Sequence, residues 1–277
     1  MRTFSVYTEY RQLKEAIVCS PANYYQTAPI NDVEAHYLLE DPPVREQLIA
    51  EHKVFTDTLE SLGVSLHFLE AAAGVPHQVF TRDVGFAVGE NFFLANLAKD
   101  IRKPEVEILQ KTLLREQVDF KKISTGLIEG GDVVVHKPYV FVGLSQRTDL
   151  QGIAELTRML GSKWKVITFA LASNVLHLDC TLAVLNSDTI IWCPELILDQ
   201  HELIEKVFSK RIRISVEQAF HMAANGLMVN PYKVIVEKRH VNLQAELEKI
   251  GLQTYPIDWT ETKKLGGLFR CATCPLA

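Results

Sequence analysis

A cysteine, a histidine and several carboxylates stand at matching places in this chain, each close to the start of a β-rich run. Asp83 and Asp132 are 49 residues apart, Asp132 and Asp179 are 47 apart, and the steps to Asn225 and then Cys271 are 46 each. A thiolate is a nucleophile, an imidazole moves protons, and buried carboxylates hold a planar cation. In His177-Leu178-Asp179 the alternation of a strand puts His177 and Asp179 on one face. A carboxylate beside an imidazole favours its protonated form. An isolated HxD equally describes a histidine capping a strand end. In Glu129-Gly130-Gly131-Asp132 the double glycine permits backbone conformations closed to other residues, so both carboxylates can face one space. A β-bulge or turn would carry the same letters.

Cys271 has two readings of its own. As a nucleophile it needs a nearby positive charge or base to raise its thiolate fraction, and Arg270 and His177 are the candidates. As half of Cys271-x-x-Cys274 it would be a redox or zinc residue. A lone CxxC supplies two zinc ligands, no second pair follows at finger spacing, and on a strand positions three apart face opposite sides. Taken alone, either cysteine also reads as a small buried hydrophobe.

The elements that must position these groups repeat. Strand–turn–strand segments cover 80–97, 128–143, 177–192 and 225–237, with GGLFRCATC at 266–274 left over. A constant period of this length marks a radial or solenoid array. Five units closing on themselves would bring Asp83, Glu129, His177, Asp179, Asn225 and Cys271 to one end of a central channel. The strand at 15–19 then pairs with the C-terminal strand to complete the fifth unit. Between hairpins, amphipathic helices are expected at 44–62, 104–117, 148–160, 195–208 and 241–250. Their apolar stripes include Val106, Leu109, Leu113 and Leu114 in one and Ile153, Leu156, Met159 and Leu160 in another. Gly89-Glu90-Asn91, Lys137-Pro138, Asn186-Ser187-Asp188 and Asn230-Pro231 supply the turns. Residues 27–43 read as a long surface loop, of the kind that often forms a lid.

The expected class is therefore α/β, with residues 1–277 as one ring-shaped domain. The chain has 277 residues, 47% of them hydrophobic, enough for a sizeable core. A net charge of −5 without a basic block argues against nucleic acid as a partner. No apolar run approaches the roughly 20 residues of a membrane span, and the charged start lacks a signal-peptide core. Five scattered cysteines do not form a disulfide framework, so the expectation is cytoplasmic. Self-association into a homo-oligomer is left open.

Five motifs in order, FTRD at 80–83, EGGD at 129–132, VGLSQRT at 142–148, HLD at 177–179 and GGLFRCATCPL at 266–276, resemble the pentein, or guanidino-group-modifying, superfamily. Its members include arginine deiminase, dimethylargininase and glycine amidinotransferase. The resemblance runs from about Phe80 to Leu276 and implies a five-bladed αβ propeller. It implies that Cys271 attacks a guanidinium carbon, that His177 protonates the leaving amine and then activates water, and that Glu129 serves that histidine. Asp83 and Asp179 would hold the guanidinium, while Arg147 and Arg102 would bind a substrate α-carboxylate. No cofactor or metal is implied.

The expected activity is hydrolysis of arginine, a methylated arginine or a related guanidine, through a thiouronium adduct, to a ureido product such as citrulline. An amidinotransferase using the same adduct and an inert guanidine-binding propeller are the alternatives. The length resembles dimethylargininases and leaves no room for the helical insertion of arginine deiminases. Yet His77 and Arg82 stand where dimethylargininases carry two acidic residues, and Asp179 resembles the deiminase or transferase choice. Both departures weigh against a methylated guanidinium.

Overall fold

The repeats expected from the spacing are visible as sheets. The computed structural model describes residues 4–277, and the strands of these residues form five three-stranded sheets. Each sheet has the same pattern, an antiparallel pair whose second strand leads through a crossover helix to a third strand parallel to it, and in four of them the antiparallel pair is a hairpin. The first joins Gly85–Val88, Asn91–Leu94 and Lys121–Lys122. The second joins Val133–His136, Tyr139–Leu144 and Lys165–Ala170. The third uses Leu182–Val184, Thr189–Trp192 and Lys210–Arg213, and the fourth Leu227–Asn230, Lys233–Glu237 and Gln253–Ile257. In the fifth, Glu15–Cys19 pairs antiparallel with Cys274–Pro275 and parallel with Ser65–Leu69, so residues from both ends of the chain share one sheet, as expected.

The crossover helices form where apolar spacing and caps coincide. In Leu150–Leu160 the Asp149 side chain accepts from the Gly152 backbone N–H at 2.8 Å, and Ile153, Leu156 and Leu160 are buried. Lys103–Arg115 has Pro104 in its first turn, where no N–H is missed, and buries Val106, Leu109 and Leu113. Leu114, which the periodicity placed on that stripe, is exposed. The helix expected from 195 begins only at His201; 195–200 is irregular, and Gln200 has a positive φ of 61°. Arg45–Ser61 and Val241–Lys249 lie within a residue of the expected bounds.

Two local expectations need correction. His177-Leu178-Asp179 is not a strand: Leu178–Cys180 is a short 3₁₀ turn, with His177 as its extended N-cap. Residues 27–43 are not a plain loop, because they contain the helix Asp32–Tyr37 with buried Val33 and Glu34. Among the described residues, no helix is long and apolar enough to cross a membrane.

Candidate active site

A tight turn precedes the first strand of each sheet, and the chemistry-bearing residues sit on these turns. Thr81–Val84 leads into Gly85, Gly130–Asp132 into Val133, and Leu178–Cys180 lies just before Leu182. Hydrogen bonds tie the turns together. Asp132 Oδ1 accepts from the Leu178 N–H at 2.9 Å, and Asn225 donates through its side chain to the Asp179 carbonyl at 3.3 Å. Asn225 Oδ1 in turn accepts from the Cys271 N–H at 3.3 Å, and the Cys271 carbonyl accepts from the Arg82 N–H at 3.1 Å. Backbone groups that sheets leave unpaired are thus satisfied by neighbouring turns.

The nucleophile candidate lies among anions. Cys271 Sγ is 3.9 Å from Asp179 Oδ2, and both residues are buried. Burial first, then the charges of Asp179 and Asp83, push the Cys271 thiol well above its ordinary range. Arg270, the expected activator, is directed elsewhere: it donates to Asp179 Oδ2, to Glu9 and to the Val133 carbonyl. Its positive charge balances Asp179 and reaches the thiol only as a minor influence. Cys274 is unrelated to this chemistry; its thiol contacts the Gly85 carbonyl at 3.0 Å inside the core.

His177 is held in its protonated form. Its Nε2 lies 2.8 Å from Glu129 Oε2, and its Nδ1 lies 3.8 Å from Asp83 Oδ1. Burial works against the imidazolium, but Asp83 and hydrogen-bonded Glu129 outweigh it and hold His177 at about 9. Burial likewise works against the ionised Glu129, and the hydrogen bond and charge of His177, with Arg147 nearby, bring it below its ordinary range. The double glycine serves this contact through its size. A Cβ on Gly131 would stand 2.6 Å from His177 Nδ1 and 2.9 Å from Asp83 Oδ1. The expected special backbone conformation is absent, since neither Gly130 nor Gly131 has a positive φ.

Cys271, His177, Asp83, Arg102 and Arg147 line one enclosed hollow of about 10 Å³, roofed by Ile30 and Asn31. Asp83 Oδ1 and His177 Nδ1 are buried there without a hydrogen-bond partner among the described residues. The roof is pinned: Arg147 Nη2 donates to the Ile30 carbonyl at 2.7 Å, Asn31 Nδ2 to the Leu265 carbonyl at 3.1 Å, and Glu34 pairs with His77 at 2.8 Å. Gly266, beside Leu265, has a φ of 90°, a conformation that only glycine adopts cheaply. Arg102 is committed to Asp83 Oδ2 at 2.6 Å, to Glu105 and to the Phe80 carbonyl.

Asp83, Glu129 and His177 bring potential metal-ligand atoms within 4.8 Å of one another. Arg102 on Asp83, Arg147 on Glu129 and the protonated His177 already supply three positive charges to this trio.

All seven residues singled out in the sequence meet in this region. Glu129, His177 and Arg147 form one hydrogen-bonded cluster with Asp83 Oδ1 3.8 Å from the imidazole, while Asp179 meets the thiol and Arg270. Asp132, expected to face the same space as Glu129, instead accepts from Leu178 N–H and Ser145 and so holds the His177 turn in place. Glu9 escaped notice: it is a buried acid that pairs with Arg270 and Arg82, yet it sits in a charged N-terminal stretch with no motif around it. Glu105 escaped too, because an acid in the first turn of a helix is ordinary.

Known proteins share this design. The family profile described as N,N dimethylarginine dimethylhydrolase, eukaryotic, matches residues 22–277. An uncharacterized protein of Bacillus subtilis, YkgA, is 32% identical over 273 residues, covering 97% of this chain and 93% of its own. The dimethylarginine dimethylaminohydrolase of Pseudomonas aeruginosa is 21% identical over 83% of this chain and 88% of its own. Among solved structures, the N-terminal domain of ArgZ, a cyanobacterial arginine dihydrolase, superimposes with a TM-score of 0.85 at 20% identity, covering 95% of this chain and 98% of that one. The chain belongs to the dimethylarginine dimethylhydrolase family, within the pentein superfamily of guanidino-group-modifying enzymes.

Two predictions follow from the His177 cluster. Gly131→Ala should cost about 1–3 kcal/mol of stability by overpacking, and denaturant unfolding measures it. An alanine variant as stable as the parent would mean that the ring has room to move. Separately, His177 has a folded value near 9 against an ordinary 6.5, so its contribution is complete below about 6.5 and fades as pH rises through 9. The stability advantage of the parent over His177→Gln should therefore shrink between pH 6 and pH 10, whereas a constant advantage would contradict the ion pair.

Proposed function

We propose that this protein hydrolyses a guanidino compound through a covalent adduct on Cys271. The observation that carries the reading is the placement of Cys271 near two carboxylates, Asp179 at 3.9 Å from its Sγ and Asp83 in the lining of the same hollow, with His177 also on its wall. The unpartnered Asp83 Oδ1 suits an N–H of a planar cation. We propose the same five sheets to be closed as a five-bladed αβ propeller of one domain; the hydrogen bonds from turn to turn support it.

The steps follow from the charges. A guanidinium entering between Asp83 and Asp179 neutralises the field that keeps the thiol protonated, and the thiol loses its proton to solvent. The thiolate adds to the guanidinium carbon. His177, an imidazolium at neutral pH, gives its proton to the departing nitrogen, and the C–N bond breaks to leave a thiouronium on Cys271 and free ammonia or amine. The now neutral His177 takes a proton from water as that water adds to the same carbon. Expulsion of the thiolate releases a ureido product. Glu129 keeps the imidazole oriented throughout.

Cys271→Ser should abolish ureido-product formation, because an alcohol is far less acidic than a thiol, while Cys274→Ser keeps most of it. Loss in the second variant alone would move the nucleophile. His177→Ala should lower turnover at least ~100-fold, the usual effect of removing a general acid/base. Near-parental turnover would exclude the assigned proton donor. Dialkylation of a terminal nitrogen removes two donors and leaves a buried carboxylate unpaired, at about 1–3 kcal/mol. An unsubstituted or singly substituted guanidine should therefore show a higher kcat/KM than asymmetrically dimethylated arginine; the reverse order would mean that Asp83 or Asp179 does not touch the substrate.

A further inference from the structure

Residues 5–13 run from sheet to sheet as a strap. Ser5 N–H donates to the Leu276 carbonyl beside the fifth sheet at 3.0 Å, and Val6 N–H to the Gly89 carbonyl in the first hairpin at 3.1 Å. Glu9 N–H then donates to the Val135 carbonyl of the second sheet at 3.1 Å, and Leu13 N–H to the Val229 carbonyl of the fourth at 2.8 Å. Val6 and Leu13 are buried, which suits a strap that must stay in place. A carboxylate in the middle of it does not, because a buried acid costs stability unless it is paired. The Glu9 side chain is nevertheless only 10% exposed.

That burial serves two arginines. Glu9 Oε2 accepts from Arg270 Nε at 3.2 Å and from Arg82 Nη2 at 3.4 Å. Its Oε1 meets Arg270 Nη2 at 3.1 Å and accepts from the Val135 N–H at 2.9 Å. Burial works against the charge of Glu9, but Arg270 and then Arg82 outweigh it and hold the acid below its ordinary range. Arg270 also donates through Nη1 to Asp179 Oδ2, the atom 3.9 Å from Cys271 Sγ. Glu9, Arg270, Asp179 and the thiol are thus one chain of contacts, with Arg82 at its far end. The charges of the two acids and two arginines cancel. The other ionisable groups near the thiol are Asp83 and Cys180, with His177, Arg102 and Arg147 in the lining of the hollow. Arg102 pairs with Asp83, and Arg147 and His177 pair with Glu129, so none of them depends on Glu9.

We propose that Glu9 is a positioning residue for the reaction at Cys271: by occupying Arg270 and Arg82, it leaves Asp179 enough negative potential to draw a guanidinium to the thiol. Without the Glu9 charge, Arg270 turns wholly to Asp179, Arg82 loses the acid it touches, and the group of four gains one net positive charge. The field at Cys271 then favours the thiolate and disfavours a cation. The inference rests on reading Cys271 as the nucleophile of the proposed function.

The test compares Glu9→Gln, and Glu9→Gln combined with Arg82→Met, with the unaltered protein. The readouts are kcat and KM for methylguanidine, and the rate at which iodoacetamide, a neutral reagent, labels Cys271 between pH 7 and pH 9. One added charge acting over roughly 10 Å at an effective dielectric of about 20 changes an ionisation or a cation's affinity about tenfold. Glu9→Gln should therefore raise KM about tenfold with kcat within about threefold of the parent. Labelling of Cys271 should quicken about threefold, because a roughly tenfold larger thiolate fraction is partly offset by the lower nucleophilicity of a more acidic thiol. Labelling of buried Cys19, in the fifth sheet, should not change, which separates a charge effect from a loosened fold. Adding Arg82→Met removes the surplus charge and should return KM and Cys271 labelling to within about twofold of the parent. A Glu9→Gln chain that folds only with Arg82→Met added also supports the balance. Parental KM and labelling in Glu9→Gln, or no recovery on adding Arg82→Met, including failure of the double variant to fold, overturns it. If no guanidine yields ureido product, the proposed function falls, and the labelling rates still decide whether Glu9 sets the charge at Cys271.

Discussion

Carboxylates buried away from water need positive charge within reach, and this need organises the centre of the molecule. Asp83, Glu129, Asp179, Glu105 and Glu9 are all buried or nearly so. Each meets a guanidinium or imidazolium: Arg102 for Asp83 and Glu105, Arg147 and His177 for Glu129, Arg270 for Asp179, and Arg270 with Arg82 for Glu9. Removing one partner from such a pair strands the other, which costs far more than the pair contributes. The network therefore holds as a unit. Its members come from different sheets, so it also ties the turns of those sheets to one another.

In the proposed mechanism the same balance would keep Cys271 quiet until a cation arrives. The arginines face the carboxylates, and the thiol sees mostly the carboxylates. A site working as proposed would keep its nucleophile as a thiol in the free protein and create the thiolate on binding. Selectivity for cationic substrates is then a property of the nucleophile as well as of the pocket. His177 is set the opposite way, held in its protonated form. The surrounding acids push both groups up, the imidazole against its burial and the thiol in addition to its burial.

Much of this was legible before the structure. The steps of 46 to 49 residues count five units, and the five sheets match them. Cys271, His177, Glu129, Asp83 and Asp179 stand in the ordered motifs that carry the family resemblance, and it is that resemblance that points at them. The errors have physical causes. Period-2 reasoning made His177-Leu178-Asp179 a strand, but Leu178–Cys180 is a 3₁₀ turn in which His177 meets Glu129 and Asp179 meets the Cys271 thiol. Gly130 and Gly131 were assigned to backbone freedom, while the need is for space beside the His177 ring. Glu9 is invisible in sequence because nothing local requires it; its partners Arg82 and Arg270 are 73 and 261 residues away. Long-range charge pairs leave no periodic trace.

The central claim is that the guanidinium cation itself generates the Cys271 thiolate. Thiolate ultraviolet absorbance, followed by rapid mixing at pH 7 before the first turnover, tests it most directly. The account predicts little thiolate signal in the free protein, a rise on mixing with methylguanidine, and no rise in Cys271→Ser. A full thiolate signal in the free protein, or none in the complex before product appears, would contradict it.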